Sequence, residues 1–224
     1  GLSVSVTYNG SSDLPVLAGT YTVVATINHS QYQGTGTGTM TIAKASLTAR
    51  ADNISRDYKR DNPPLTITYS GFVNNETTAV IDTSPSASTS ATATSNAGNY
   101  PITIAGGSDN NYSLSLQGGI LTVLPLDQTV TLNEIGNKAV TDQPFPITAS
   151  SSAGLPIVLS IESGPAQISG NIISLTGTPG TVVVKATQDG TVNFKPAAAQ
   201  RLFSVEAADQ QVQAWVRVPR RVGG

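Results

Sequence analysis

An internal repeat constrains this chain more than any other feature, because a segment that recurs must be a unit able to fold beside its own kind. "VTYNG" at 6–10 recurs as "ITYSG" at 67–71, "AGTY" at 18–21 as "AGNY" at 97–100, and "GTMTIAKA" at 38–45 as "GILTVLP" at 119–125. One interval is nearly kept: Tyr21 to Tyr32 is 11 positions (32 − 21) and Tyr100 to Tyr112 is 12 (112 − 100). Another is not, since Tyr8 to Tyr21 is 13 positions (21 − 8) and Tyr69 to Tyr100 is 31 (100 − 69). The second repeat therefore carries an insertion around "NNETTAVIDTSPSASTSATATS".

Each repeat reads as a glycine bend, a tyrosine entering a strand, a period-2 stretch, an Asn-containing turn and a closing strand. In "TYTVVATI" and "YPITIAG" alternate residues are expected to face a small core to which the aromatic ring brings the largest area. Asn9-Gly10 tolerates the positive φ angles of a tight turn. "NNETTAVID" at 74–82 is expected to form the one helical turn, with Asn74 or Asn75 as its N-cap before Glu76.

The pattern changes at Pro125, which cannot continue a central strand. "QTVTLNEI", "FPITASSSAGLPIVLSI", "AQISGNIISLTG" and "GTVVVKATQ" are short strands spaced as in a two-sheet sandwich, with a hairpin around Gly170-Asn171. Beyond "RLFSV" at 201–205 the pattern lapses, so 207–224 reads as a linker or the start of another module.

Composition agrees with an all-β chain. Hydrophobic residues make up 38%, enough for real cores, while only 12% are charged and β-branched and small polar residues abound. A net charge of −2 offers no footprint for nucleic acid or an anionic membrane. No run approaches the ~20 apolar residues of a membrane span. The absence of cysteine removes disulfides, thiolate nucleophiles and Cys-ligated metals, and is compatible with export. The opening at Gly1 in mid-pattern, with no signal peptide, reads as a fragment whose targeting segment lies upstream.

The quoted segments carry a resemblance. "GLSVSVTYNGSSDLPVLAGTYTVVATINHSQYQGTGTGTMTIAKA" resembles the C-terminal part of MBG-type repeats, and "LTARADNISRDYKRDNPPLTITYSGFVNNETTAVI…AGNYPITIAGGSDNNYSLSLQGGILTVLP" resembles the longer MBG variety. "DQTVTLNEIGNKAV…SSAGLPIVLSIESGPAQISGNIISLTGTPGTVVVKAT" is similar to the bacterial Ig-like module that alternates with them. The resemblance covers roughly residues 1–206, as far as comparison of repeats delimits it. It implies tandem small β modules, β-grasp-like or sandwich-like, followed by an Ig-like β-sandwich. The expected units are 1–44, the incomplete C-terminal part of a first repeat; 45–125, a second, longer one; and 126–206, the sandwich. The long type usually has Tyr-Gly where this chain has Tyr58-Lys59, so a different backbone conformation is expected there. The missing opening strands of the first repeat should leave a sheet edge or groove within 1–44 open to self-association.

Chemical candidates are sparse. His29 is the sole histidine, in the polar turn "INHSQY", without metal or triad spacing. The clusters at 51–53, 60–62 and 108–112 lack the regular carboxylate spacing of a calcium loop and read as turns. Sequons at Asn9, Asn28, Asn53, Asn75 and Asn111 are expected by chance in a Ser/Thr/Asn-rich chain. Tyr32, Tyr58, Tyr112 and Trp215 could stack on sugar, but most tyrosines are needed for small cores. Lys185 is expected to face outward rather than into a cross-linked core. Asp82, Asp109 and Glu162 are scattered over separate units with no histidine, lysine or second carboxylate at useful spacing. No catalytic, metal or cofactor residue is assigned, and no cofactor is expected. The function expected is a non-catalytic spacer and display segment of a large secreted or cell-surface bacterial protein, meeting a surface protein or glycan outside the cell. The alternative is an accessory carbohydrate-binding module of a secreted enzyme.

Overall fold

The computed structural model describes residues 2–208, and the 209–224 part of the segment read as a linker lies outside them. The chain divides into two compact units that meet between Leu124 and Pro125. Among the described residues everything regular is strand except one 3-10 turn. The fold is all-β, in several sheets, as expected.

The first repeat forms one open sheet of β1 (Ser3–Tyr8), β2 (Gly19–Asn28) and β3 (Thr35–Ile42), with β2 in the middle and both neighbours antiparallel. Register and the period of two sort its residues sharply. Val4, Val6 and Tyr8 share a face with Tyr21, Val23, Ala25 and Ile27 and with Gly36, Gly38, Met40 and Ile42. The other face is Ser3, Ser5 and Thr7, then Thr20, Thr22, Val24 and Thr26, then Thr35, Thr37, Thr39 and Thr41. One side is thus apolar and the other nearly all hydroxyl, which is the pattern of a sheet meant to be covered once. Yet no described residue from 2 to 44 is fully buried. Val4 stands 51% exposed.

The second repeat has two sheets. Its strands are β4 (Ala45–Ala51), β5 (Ile54–Asp57), β6 (Ile67–Ser70), β7 (Ser86–Thr89), β8 (Gly98–Ala105), β9 (Tyr112–Gln117) and β10 (Gly119–Leu124). They order as β6-β4-β9 and β5-β10-β8-β7, with β4 parallel to β9 and β5 parallel to β10. Leu47, Ala49 and Ala51 alternate inward on β4, and Ala51 joins Ala91, Ile102, Leu121 and Val123 in the core. Gly118 and Gly119 turn the chain from one sheet to the other where a Cβ would meet the carbonyls of Ile102 and Ala51 at 2.8 and 2.6 Å.

The repeat seen in sequence is real in detail. Tyr21 donates to the Leu17 carbonyl at 2.8 Å and Tyr100 to the Asn96 carbonyl at 2.9 Å, four residues back in both cases. Gly19 and Gly98 have φ of 156° and 152°. The first landmark is a correction, however. "VTYNG" supplies β1 beside β2, whereas "ITYSG" supplies β6, which pairs with β4 in the other sheet. The strand beside β8 is β7, taken from the insertion.

Two further expectations change. The helical turn is Thr78–Val80, capped by the Thr77 side chain on Ala79 N. Asn74 and Asn75 have φ of 54° and 59°, the left-handed region, so neither has the extended backbone of an N-cap. Lys59 has φ 63° with Arg60 N donating to Asp57 O at 3.2 Å, so the turn keeps the conformation that glycine would adopt.

The second unit contains β11 (Val130–Leu132), β12 (Lys138–Ala139), β13 (Phe145–Pro146), β14 (Ala149–Ser151), β15 (Val158–Ser163), β16 (Ala166–Ser169), β17 (Ile172–Leu175), β18 (Gly180–Gln188) and β19 (Ala197–Glu206). They order as β11-β14, β12-β19-β18-β15 and β13-β17-β16. Val182, Val184 and Ala186 alternate inward on β18 and meet Phe203 and Val205 of β19, with Leu132, Ile147 and Ile173 completing the core. The hairpin β16–β17 turns at Gly170-Asn171 with Gly170 at φ 60°.

Candidate functional site

The polar groups converge where the first repeat meets the second. Only Ala43 and Lys44 separate β3 from β4. Across this joint the turn "SDNNY" at 108–112 is organised by Asp109, the one buried carboxylate among the described residues. One oxygen of Asp109 accepts Asn111 N at 2.7 Å and Tyr112 N at 2.8 Å, and the other accepts Asp82 N at 3.2 Å. Asp82 reciprocates by accepting Asn110 N at 2.8 Å. Burial pushes the Asp109 carboxyl up, but these N–H groups and the Lys44 charge outweigh it and leave its pKa below the ordinary carboxylate value.

The turn so held reaches the first repeat, the connection and the start of β4. Asn111 Oδ1 accepts Ala18 N at 2.9 Å, Asn111 O accepts Ala45 N at 2.9 Å, and Lys44 Nζ donates to Asp109 O at 2.6 Å. Tyr112 opens β9 fully buried, edge-on to Phe72 at 5.5 Å. Its hydroxyl donates to Glu76 Oε2 at 2.5 Å and accepts Val73 N at 3.0 Å. Desolvation first, and the Glu76 carboxylate second, raise its pKa. A cleft of about 130 Å³ lies here between Val16, Leu17 and Ala18 on one side and Val73, Glu76 and Tyr112 on the other.

The remaining sequence candidates are dispersed. His29 is exposed in its turn, where Nδ1 accepts Gln31 N at 3.1 Å and the ring sits 5.1 Å from Tyr32. Asp52 accepts the Thr66 and Thr68 hydroxyls at 2.6 and 2.7 Å, and those bonds lower its pKa. Glu162 pairs at the surface with Lys185 at 3.5 Å and also accepts Gln200 Nε2. Asn9 accepts Thr22 N and Asn53 accepts Ile120 N, so those sequon side chains tie their loops to strands distant in sequence. Trp215 lies outside the described residues. Among the described residues no group of three or more His, Cys, Asp and Glu could hold a metal ion.

Two buried polar clasps carry no sequence signal. Arg56 is buried and donates only to neutral acceptors: Asn62 Oδ1 at 2.7 Å, Asp57 O at 3.0 Å and Thr92 O at 2.5 Å. In the second unit Gln128 donates to Gln188 and to Lys195 O, accepts the Ser151 hydroxyl, and Gln188 accepts Gly190 N. Both fasten loops, satisfying polar groups that burial would otherwise leave at a cost.

Comparison with known proteins bears on the first unit. Residues 1–46 match the MBG domain and residues 47–122 match the MBG domain (YGX type). The first unit thus carries two MBG-type repeats, and Lys59 stands at φ 63° beside Tyr58 in a repeat of the YGX type. No curated protein matches the chain. Among solved structures, Drosophila N-cadherin EC1-4 aligns over 93% of this chain and 67% of that one at 9% identity and a TM-score of 0.31. Drosophila N-cadherin EC1-3 aligns over 84% and 78% at 13% identity and 0.29. A SusE-like surface-located polysaccharide-binding protein from the Bacteroides thetaiotaomicron heparin utilisation locus aligns over 89% and 54% at 10% identity and 0.27. TM-scores this low carry no argument for fold or function.

Proposed function

We propose that this chain is a non-catalytic spacer and display segment of a large secreted or cell-surface bacterial protein, with its second unit an Ig-like sandwich. The observation that carries the reading is the commitment of the acidic groups. Asp109 and Asp82 lie together rather than scattered, but both are spent on backbone N–H groups, and Glu162 on a surface ion pair, so each has a structural use. Tandem MBG-type repeats support the same reading. The place of action is outside the cell, and a surface protein or glycan is the ligand class it would display toward. Antibodies raised against this chain should label intact cells of the source organism, and the purified chain should turn over no polysaccharide or peptide substrate. Labelling only after lysis, or turnover abolished by Asp82→Asn, would overturn the reading.

Self-association through the first repeat is the partner reading. Among the described residues strands β1 and β3 each lack a neighbour on one side, and residues 3–8 and 35–42 contain neither charge nor proline, the usual guards of an edge. An antiparallel pairing of β1 with β1 of a second molecule, centred on Ser5, would set Val4 against Val6 and Ser3 against Thr7 on matching faces. Sedimentation should show a concentration-dependent dimer that Val4→Lys abolishes, and a monomer at all concentrations would remove this reading.

A further inference from the structure

We infer that the turn at 108–112 is a latch that makes the two MBG-type repeats one mechanical body. The two-residue connection of Ala43 and Lys44 would by itself allow rotation about its backbone dihedrals, and inter-module motion is the ordinary consequence of a small interface. Two hydrogen bonds remove that freedom, one to a segment of the first repeat and one from the connection itself. Asn111 Oδ1 takes the N–H of Ala18, which lies immediately before β2 and far from the connection in sequence. Lys44 Nζ, in the connection, reaches the Asp109 carbonyl, while Asn111 O takes the N–H of Ala45 within the second repeat and continues the β4–β9 ladder. A hinge pinned at one point can swing, whereas a hinge pinned both at the connection and on a second strand cannot.

The turn is also preorganised for this use. Asp109 fixes the backbone of Asn111 and Tyr112 before either meets the first repeat, and Tyr112 is anchored beneath by Glu76 and Val73 N, so the Asn111 amide is presented at little further cost in entropy. The corresponding turn of the first repeat has nothing similar. There "INHSQY" lacks an acid, its turn is closed by Ile27 N to Gly34 O and by Gln31 N to His29 Nδ1, and Tyr32 is 57% exposed. The Asp-Asn-Asn sequence is therefore present at the turn that touches a preceding repeat and absent from the one that does not. The latch would stiffen a spacer, but it stands on these contacts and does not depend on the spacer reading.

The chain has no cysteine, so two engineered thiols report the joint without background. Spin labels at Thr39→Cys on β3 and Ser86→Cys on β7, both exposed positions, give the inter-repeat distance distribution by pulsed dipolar spectroscopy. The parent pair should give one narrow distance. Adding Asn111→Ala should broaden it by about twofold or more, as expected when a fixed joint becomes a hinge. Asn111→Asp, which keeps an acceptor for Ala18 N–H, should restore the narrow distribution. If Asn111→Ala does not fold, Lys44→Met, which removes only the Nζ donor, decides by the same broadening. A distribution already broad in the parent pair, or one left unchanged by whichever of these two variants decides, overturns the latch and leaves the proposed function as it was.

Discussion

The two MBG-type repeats begin from similar sequences and end as different structures. In the second, the segment after Tyr112 finds β4 as a parallel partner and leaves for a second sheet, so that two sheets enclose Ala51, Ile102, Leu121 and Val123. In the first, no described strand plays the part of β4, and the equivalent residues after Tyr32 continue along β2 as the long strand β3. One repeat has a core and the other has only a face. The comparison teaches that the shared strand-turn-strand motif specifies one sheet, and that burial depends on the strands around it.

The largest test of this contrast is at the paired glycines. Gly71 has φ 111° and a Cβ there would fall 2.6 Å from the Ser46 carbonyl, whereas Gly10 has φ 87° with nothing within 4 Å. Gly71→Ala should cost ~4 kcal/mol by forcing backbone apart, and Gly10→Ala only the ~1 kcal/mol of a left-handed alanine, both read by denaturant melts. Next in size is the core itself. Leu121→Ala should cost about 3 kcal/mol and Val23→Ala, on the half-buried face, about 1 kcal/mol or less. Equal costs would mean that the first repeat is as well packed as the second.

Asp109→Asn should lower the stability of the second repeat by ~2 kcal/mol at neutral pH, since a charged acceptor of three N–H groups is replaced by a neutral one. The pH dependence has a fixed sign. Because the folded pKa of Asp109 is lowered, its contribution is complete above the unfolded carboxylate value of about 4 and is lost as pH falls through the folded value. Acid melts should show this fall in the parent chain and a smaller one in Asp109→Asn.

The aligned tyrosines give a smaller contrast. Tyr112→Phe removes bonds to Glu76 and Val73 N and should cost about 1–2 kcal/mol, while Tyr32→Phe, more than half exposed, should change stability by roughly 0.3 kcal/mol or less. Smallest and opposite in sign is Lys59→Gly. Relief of a left-handed lysine, less the extra freedom glycine gives the unfolded chain, should stabilise by ~0.5–1 kcal/mol in the same melts.

Much of the fold was legible because it rests on local chemistry. Period-2 alternation located β2, β8 and β18, Asn9-Gly10 marked a tight turn at φ 49° and 87°, and Gly170-Asn171 a hairpin. What failed needed partners distant in sequence. "VTYNG" and "ITYSG" look alike, yet their sheets are chosen by β2 and β4, which neither motif contains. Thr77 rather than an asparagine capped the helical turn because Asn74 and Asn75 had already been drawn into left-handed turn geometry. Arg56 and the Gln128–Gln188 pair are invisible in sequence, since a polar residue reads as solvent-facing until distant segments cover it. At the joint, "SDNNY" was legible as a turn, but its grip on Ala18 was not, because the bond spans 93 positions.

The most direct test of the contrast between the repeats is residue-resolved native-state hydrogen exchange on the intact chain. Amides paired between β2 and β3 should exchange roughly 100-fold faster than those paired between β8 and β10, the former opening locally without a core to hold them and the latter opening with the whole repeat. Equal protection in the two sheets, lost together on adding Leu121→Ala, would show that the first repeat is held by a core of its own or shares that of the second, and would contradict the account.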